Sequence, residues 1–287
     1  MRNLKWVHVC VEGENLVLVR FISIVWVLLA AVPAAASQEI HPLRVCMEAS
    51  FWAPHTFTIS DRPAGVHVGL LEKAADKTNH QLEIVRLPWK RCFKRAWEGS
   101  VDAILSSSYS DERSVFLHFP DDAATALKSR FRVTQGDEVV ILRSDTSFEW
   151  DGALGSLPSP IGSKVGYRIT SEMKKMGILV ATTTNDKKLF TMLVSRRAHS
   201  LIAPRGLAEF YVDLPEFKGQ IKILDRTVSS IPYYLAIAKS GRLTARDAKA
   251  LWQAIVEVRE NSESYALIWK RTAEAMKQCL ANKAICR

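Results

Sequence analysis

The sequence lacks the short motifs that mark common catalytic and cofactor-binding sites. It has no Gly-x-Gly-x-x-Gly fingerprint, no P-loop, no Gly-x-Ser-x-Gly elbow and no His-Glu-x-x-His motif. It also has no Cys-x-x-Cys pair, and its seven histidines are scattered singly, which argues against a zinc site. We therefore expect no metal and no organic cofactor, and no motif indicates catalysis.

Cysteine is scarce, with five residues in a chain of 287, so disulfides can only reinforce a structure that already has a core. The composition is 48% hydrophobic and 24% charged, which excludes a disordered chain and leaves material for two lobes. The net charge of +9 favours anionic partners. Basic and aromatic residues do not alternate in one stripe, so we do not expect a nucleic-acid partner.

Long apolar runs are also few, and the longest, residues 21–32, lies near the amino terminus. Arg20 precedes this run, and small residues of the Ala-x-Ala kind follow it at positions 33–37. This pattern predicts a signal peptide over residues 1–36, cleaved after Ala36, and hence a periplasmic protein. The alternative is an amino-terminal membrane anchor, although the run is shorter than the roughly 20 residues that a span requires.

Four cysteines follow the predicted signal peptide, an even number in a compartment that permits disulfides. Cys279 and Cys286 are close in sequence, which favours a bond between them and a second bond between Cys46 and Cys92. Other pairings, free thiols and a metal site remain alternatives at this point.

The hydrophobic pattern alternates between strands and helices. The elements predicted in the first part of the chain are strands at 43–47, 82–87 and 101–105 and helices at 70–77 and 89–98. Such alternation predicts a parallel sheet with right-handed crossovers. A second unit of this kind follows, with a predicted strand at 164–167 and a short helix at 171–176. Two amphipathic helices end the chain, the first opening with the capping pattern Thr244-x-x-Asp247.

Aromatic and polar residues follow the predicted strands. Trp52 and Trp89 come just after the first and second strands, and ligands of open parallel sheets sit beyond the carboxyl ends of the strands. The two indoles are therefore expected in one cleft, unless each only packs its own loop. The third strand leads into hydroxyl side chains and Arg113, which suit a carboxylate. The alternative is a polar loop with an Arg that faces solvent.

Several segments together resemble one family. They are Trp52-Ala53-Pro54, the glycine-containing segment 65–71, Pro88-Trp89-Lys90-Arg91-Cys92, Gly99-Ser100-Val101-Asp102-Ala103-Ile104, and the segment 108–113 with Phe119-Pro120. In this order they resemble the bacterial extracellular solute-binding proteins of family 3, the amino-acid-type periplasmic receptors of ABC transporters. The resemblance spans the chain that follows the predicted signal peptide.

The resemblance implies an α/β protein with the type II periplasmic-binding-protein fold, in which a hinge of two strands near residues 134–138 and 230–234 joins two α/β lobes. Lobe 1 would comprise residues 38–136 and 233–287, and lobe 2 residues 137–232. Such a protein is expected to be a monomer without a cofactor. Its partners would be a small-molecule ligand and an ABC permease or a membrane sensor.

The resemblance also implies a ligand-binding set, in which two indoles sandwich the solute and a guanidinium with two nearby hydroxyls holds its carboxylate. Two further hydroxyls would contribute at a helix start in lobe 2. The residues are Trp52, Trp89, Arg113, Ser106, Ser108, Thr170 and Ser171.

The chain departs from the family pattern in lobe 2. Ile169 stands where relatives usually have Gly, and Ala203-Pro204 falls where amino-acid receptors place an Asp for the ligand's ammonium group. A buried ammonium without a carboxylate would cost several kcal/mol. We therefore expect a small polar, carboxylate-bearing solute that is anionic or neutral, and not an ordinary α-amino acid.

Two other functions remain open. A dehydratase-like periplasmic enzyme on the same fold would need an acid or base in the cleft, for which Glu48 and Lys90 are the candidates. Both are more simply explained as surface or salt-bridged residues. A purely structural envelope protein is the third possibility.

Overall fold

The computed structural model describes residues 42–282 and residue 286, so the predicted signal peptide lies outside the described residues. The strands are β1 Leu43–Glu48, β2 Phe57–Ile59, β3 Arg62–Ala64, β4 Leu82–Leu87, β5 Ala103–Ser108, β6 Leu117–His118, β7 Thr134–Arg143, β8 Ile161–Lys164, β9 Val180–Thr183, β10 Ser200–Pro204 and β11 Ile221–Ala238. The α-helices are α1 Val66–Lys77, α2 Trp89–Trp97, α3 Asp111–Ser114, α4 Arg168–Lys175, α5 Asp186–Val194, α6 Arg205–Val212, α7 Ala245–Glu260 and α8 Ser262–Ala281.

A nine-stranded curled sheet organises the described part of the chain, in the order β4-β1-β5-β11-β7-β10-β8-β9 with β6 paired to β11, and β2 and β3 form a separate two-stranded sheet. At one end β4, β1 and β5 are parallel, and at the other β10, β8 and β9 are parallel. The alternation of strands and helices in the sequence predicted both parallel sets. We call these ends the first half and the second half of the sheet.

Two long strands connect the halves. β7 and β11 pair antiparallel along most of their length, β11 also pairs with β5, and β7 pairs with β10. Between Tyr234 and Ala236, and again between Ile223 and Ser229, the register of β11 shifts. β-bulges of this kind bend a strand, which lets one sheet curl between two α/β units. The mixed α/β fold, with two long strands connecting its parallel ends, is the one that the family resemblance implied.

The predicted strand at 164–167 is placed too late in the chain. β8 ends at Lys164, and Gly166 adopts a positive φ of 85° that turns the chain into α4. Only glycine takes up this conformation without steric cost. Helix α4 therefore begins at Arg168, three residues before the predicted start.

Helix α7 begins with the predicted capping box. The Thr244 hydroxyl accepts from the Asp247 backbone N–H at 3.2 Å, and the Asp247 carboxylate accepts from the Thr244 N–H at 2.8 Å. Its apolar side, which includes Leu251, Trp252 and Ile255, packs in the core of the first half. A cap of this kind contributes about 1 kcal/mol to helix stability.

Both expected disulfides are present. Cys46–Cys92 joins β1 to α2, and both residues are fully buried. Cys279–Cys286 links α8 to Cys286, which forms a β-bridge with Ile59. Within residues 42–282, no helix has the length and apolarity to cross a membrane.

Candidate functional site

A small cavity lies where the first-half strands end and the second half meets them. Its lining residues are Glu48, Trp52, Thr56, Trp89, Leu105, Ser106, Ser108, Arg113, Glu138, Tyr167, Arg168, Pro204 and Tyr233. Its volume is about 30 Å³, room for roughly two water molecules. The two halves are in direct contact around it, through the bonds from Arg113 to the Gly166 carbonyl and from Lys164 to Glu48. Five of the seven predicted ligand-binding residues line this cavity.

Arg113 is the central cation of the cavity. It lies in the short helix α3, whose first turn is capped by the Ser110 hydroxyl, and it is only 7% exposed. One guanidinium nitrogen donates to the Ser108 carbonyl at 2.8 Å and to the Ser108 hydroxyl at 2.7 Å. The other donates to the Gly166 carbonyl, from the second half, at 3.1 Å.

The partners that the structure gives the Arg113 guanidinium are neutral oxygens and aromatic rings. Its central carbon lies 4.9 Å from the Phe93 ring centroid and 5.7 Å from the Trp89 centroid. Burial lowers the pKa of Arg113 to about 10, which still leaves it charged at neutral pH. A buried guanidinium whose acceptors are all neutral favours an added anion, since an opposite charge offsets the cost of taking the cation out of water.

The two tryptophans reach the cavity by different routes. Trp52 sits on the loop after β1, where its backbone exchanges hydrogen bonds of 2.8 Å with Thr56. Its indole contacts the rings of Tyr233, His55 and His67 at centroid distances of 5.0, 4.9 and 5.4 Å. Trp89 is the first residue of α2, next to Arg113, and is 8% exposed. Each indole thus offers part of its surface to the same cavity.

The serines after β5 have distinct partners. Ser106 has a positive φ of 66°, and its hydroxyl is 2.7 Å from Nδ1 of His67. The Ser108 hydroxyl accepts from Arg113. Burial lowers the pKa of His67 well below its ordinary value, and burial lowers that of His55, stacked on it at 4.6 Å, to about 4. Both imidazoles are therefore neutral near neutral pH.

The structure does not bring the two predicted helix-start residues into this cavity. The buried Thr170 hydroxyl is bound to Ser163 Oγ at 2.8 Å and to the Lys164 carbonyl at 2.7 Å. Ser171 lines a larger outer chamber of about 660 Å³ that also borders Ser108, Arg113 and Arg168. The reason is the earlier start of α4, which places Tyr167 and Arg168 at the cavity instead.

Glu138, Tyr167, Arg168 and Tyr233 are among the cavity residues that the sequence did not predict. Tyr167 and Arg168 follow β8, so the rule that pointed to the first-half residues would have found them had the strand been placed correctly. Glu138 and Tyr233 lie within the connecting strands β7 and β11, where no sequence motif or strand end marks them as site residues.

Glu138 and Arg168 form a buried ion pair with 3.1 Å between Oε2 and Nη2. Ser229 donates to the same carboxylate oxygen at 2.6 Å. Burial raises the pKa of Glu138, and Arg168 and Ser229 oppose that rise. Arg168 also pairs with Glu172 on the next turn of α4. Both charges of this pair are thus matched within the protein.

A second charged cluster joins the halves beside the cavity. Lys164 Nζ lies 2.9 Å from Glu48 Oε1 and 2.8 Å from Asp186 Oδ1, and the Tyr167 hydroxyl donates to Glu48 Oε2 at 3.1 Å. Burial alone would lower the pKa of Lys164, but the two carboxylates outweigh it and raise that pKa. Glu48 thus forms a salt bridge and Lys90 is exposed, which agrees with the simpler explanation that both are salt-bridged or surface residues.

In residues 42–282, no group of three or more His, Cys, Asp or Glu could hold a metal ion.

Comparisons with known proteins agree with this architecture. The model of the bacterial extracellular solute-binding proteins, family 3, matches residues 43–280. The comparison with curated proteins gave no match.

Solved structures with the same fold include an ancestral arginine-binding protein bound to arginine, with a TM-score of 0.63 and 19% identity over 80% of this chain and 96% of that one. A histidine kinase sensor domain with similarity to periplasmic binding proteins gives a TM-score of 0.69 and 15% identity, covering 82% and 97%. An ancestral amino acid-binding protein, described as a precursor of cyclohexadienyl dehydratase, gives 0.60 and 17%, covering 80% and 93%. At these identities the likeness shows the fold alone. The family match, which spans most of the sequence, shows that the chain belongs to the bacterial extracellular solute-binding proteins of family 3.

Proposed function

We propose that the protein is a periplasmic receptor that captures a small polar, carboxylate-bearing solute between two lobes, residues 38–136 with 233–287 and residues 137–232. The observation that carries the proposal is Arg113, a buried cation in the cavity with neutral oxygen partners. A carboxylate at this guanidinium would receive two parallel N–H bonds, and the serine hydroxyls could add further donors.

Binding requires the lobes to separate. The central cavity holds roughly two water molecules, so a solute of several heavy atoms fits between Trp52, Trp89 and Arg113 only when the second half moves away from them. The bulged strands β7 and β11 are the connections that would bend. A solute that contacts both halves stabilises the closed form by the contacts it makes only there.

The indoles of Trp52 and Trp89 would supply apolar contact to the solute body. Aromatic rings in such contacts contribute about 0.5–1.5 kcal/mol beyond the area they bury. With Arg113 they form a three-point site on the first half, to which the second half adds Tyr167 and Arg168.

The captured solute would pass to an ABC permease or report to a membrane sensor. Family membership supports the first role, since its members serve ABC transporters. The sensor fold among the similar structures makes the second worth testing. A dehydratase would turn its solute over, so prolonged incubation followed by mass analysis of the solute separates enzyme from receptor.

The test is substitution of Arg113 by Met, which keeps much of the side-chain volume and removes the charge. We expect affinity for a carboxylate solute to fall about 30-fold or more, in line with the 2–5 kcal/mol that a buried charged contact supports. Arg91→Met, at an exposed position on α2, is the control and should bind normally. Equal affinity of the Arg113 and Arg91 variants, measured by calorimetry, would contradict the proposal.

A further inference from the structure

Lys164, the last residue of β8, places a buried ammonium group beside the cavity. The residue is 2% exposed, and its Nζ contacts Glu48 Oε1 at 2.9 Å and Asp186 Oδ1 at 2.8 Å. It also donates to the Ser50 hydroxyl. An ammonium has three N–H donors, and here three oxygens surround it.

Glu48 is the member of this cluster that lines the central cavity. Its Oε1 accepts from Lys164 and from the Ser50 hydroxyl at 2.9 Å, and its Oε2 accepts from the Tyr167 hydroxyl at 3.1 Å. Both oxygens of a carboxylate that could receive a solute's amino group are therefore engaged by protein donors.

The negative charge of the remaining carboxylate in the cluster, Asp186, is stabilised at a place outside the central cavity. It lies in the first turn of α5, where the positive end of the helix dipole stabilises a negative charge. It borders two side cavities and not the central one. Glu138 is paired with Arg168, whereas no carboxylate among the described residues lies within ion-pair distance of Arg113 at the central cavity.

We propose that Lys164 is a specificity-determining residue, an internal ammonium that occupies the place of a solute's amino group at Glu48. The receptor then selects small carboxylates without a protonated amine and discriminates against α-amino acids. This inference rests on the receptor function proposed above and adds the charge class of the solute.

The position of Lys164 couples this selection to closure. Lys164 and Asp186 belong to the second half and Glu48 to the first, so closing the halves brings the lysine ammonium to Glu48. A solute with its own ammonium at that place would displace Lys164 from one of its two carboxylates. Such a solute also adds a positive charge beside a buried cation, which is unfavourable.

The experiment compares matched solutes that differ only in the amino group: glutarate with L-glutamate, 3-phenylpropionate with L-phenylalanine, and butyrate with L-2-aminobutyrate. Calorimetry on the wild-type protein should show that, in each pair that binds, the solute without the amino group has at least about tenfold higher affinity. The variant Lys164→Met with Asp186→Asn removes one charge of each sign and leaves Glu48 without its ammonium partner, so that a solute's amino group can take that place. Its preference should shift toward the amino acid by about tenfold or more.

Lys187→Met is the matched control, since Lys187 adjoins Asp186 in sequence but is exposed and pairs with Glu216 at 2.8 Å. It should keep the wild-type preference. Circular dichroism checks that the double variant folds, and if it does not, the wild-type ranking alone decides.

A wild-type preference for the amino acid, abolished by Arg113→Met, would overturn the role of Lys164 and leave the receptor function intact. An unchanged ranking in the folded double variant would also overturn that role. Binding of no carboxylate of either class by the wild type would contradict both proposals.

Discussion

The two halves of the sheet contribute different kinds of side chain to the cavity. From the first half come two indoles and a guanidinium held by neutral oxygens. The second half adds Tyr167 and Arg168, whose guanidinium is already paired with Glu138. Beside the cavity, its Lys164 is paired with Glu48 and Asp186. The first half is thus suited to recognise a solute, whereas the second half is suited to close over it.

The largest predicted effect comes from the two disulfides, because one of them holds cavity residues and the other does not. Cys46 lies two residues before Glu48 and Cys92 three after Trp89, so this bond holds two cavity residues, whereas Cys279–Cys286 is at the end of the chain. Replacing Cys46 and Cys92 by Ala should lower the free energy of unfolding by ~4 kcal/mol, and replacing the other pair by ~2.5 kcal/mol, because the closed loops differ in length.

Chemical denaturation measures both losses. We also expect only the Cys46 and Cys92 substitution to weaken solute binding. Equal effects of the two double variants on affinity would show that the buried disulfide does not position the site.

The second prediction concerns the histidines beneath Trp52. The folded protein lowers the pKa of His55 from 6.5 to about 4, chiefly through burial. The unfolded chain therefore binds a proton first, so the stabilising contribution is complete above pH 6.5 and is lost as the pH falls toward 4. Its size is up to ~3 kcal/mol.

His55→Phe should flatten the dependence of unfolding free energy on pH in that window. His199→Phe, at an exposed second-half position, should leave it unchanged. If the His55 variant kept the wild-type slope, burial of its imidazole would not be the cause.

A smaller effect on solute affinity is expected from Trp52, one of the two tryptophans that line the cavity. Trp52→Leu should weaken solute binding about tenfold, through the loss of ~1–1.5 kcal/mol of ring contact. Trp97→Leu is the control, because Trp97 is 60% exposed and outside the cavity. If calorimetry gave similar affinities for the two variants, Trp52 would not contribute to solute binding.

The smallest effect should come from the second half. Tyr167→Phe keeps the ring and removes only the hydroxyl that donates to Glu48, a bond of ~1 kcal/mol. Affinity should fall about fivefold, mainly through faster solute release, because the closed form is less stable. A larger loss than that of Trp52→Leu would reverse the roles assigned to the two halves.

The same contrast explains which parts of the site could be predicted from the sequence. Trp52, Trp89 and Arg113 directly follow strands whose pattern is unambiguous, and the carboxyl ends of parallel strands meet at one edge. Tyr167 was missed because the positive φ of Gly166 ends β8 early, which apolar periodicity does not reveal. Glu138 reaches the cavity only through the pairing of β7 with β11, a tertiary contact without a local signal.

The central claim, that the first half recognises a carboxylate through Arg113, is tested most directly by native mass spectrometry of the protein purified without denaturant. We expect a bound small molecule that carries a carboxylate and that is absent from the Arg113→Met variant. A bound solute without a carboxylate, or one retained by that variant, would contradict the claim.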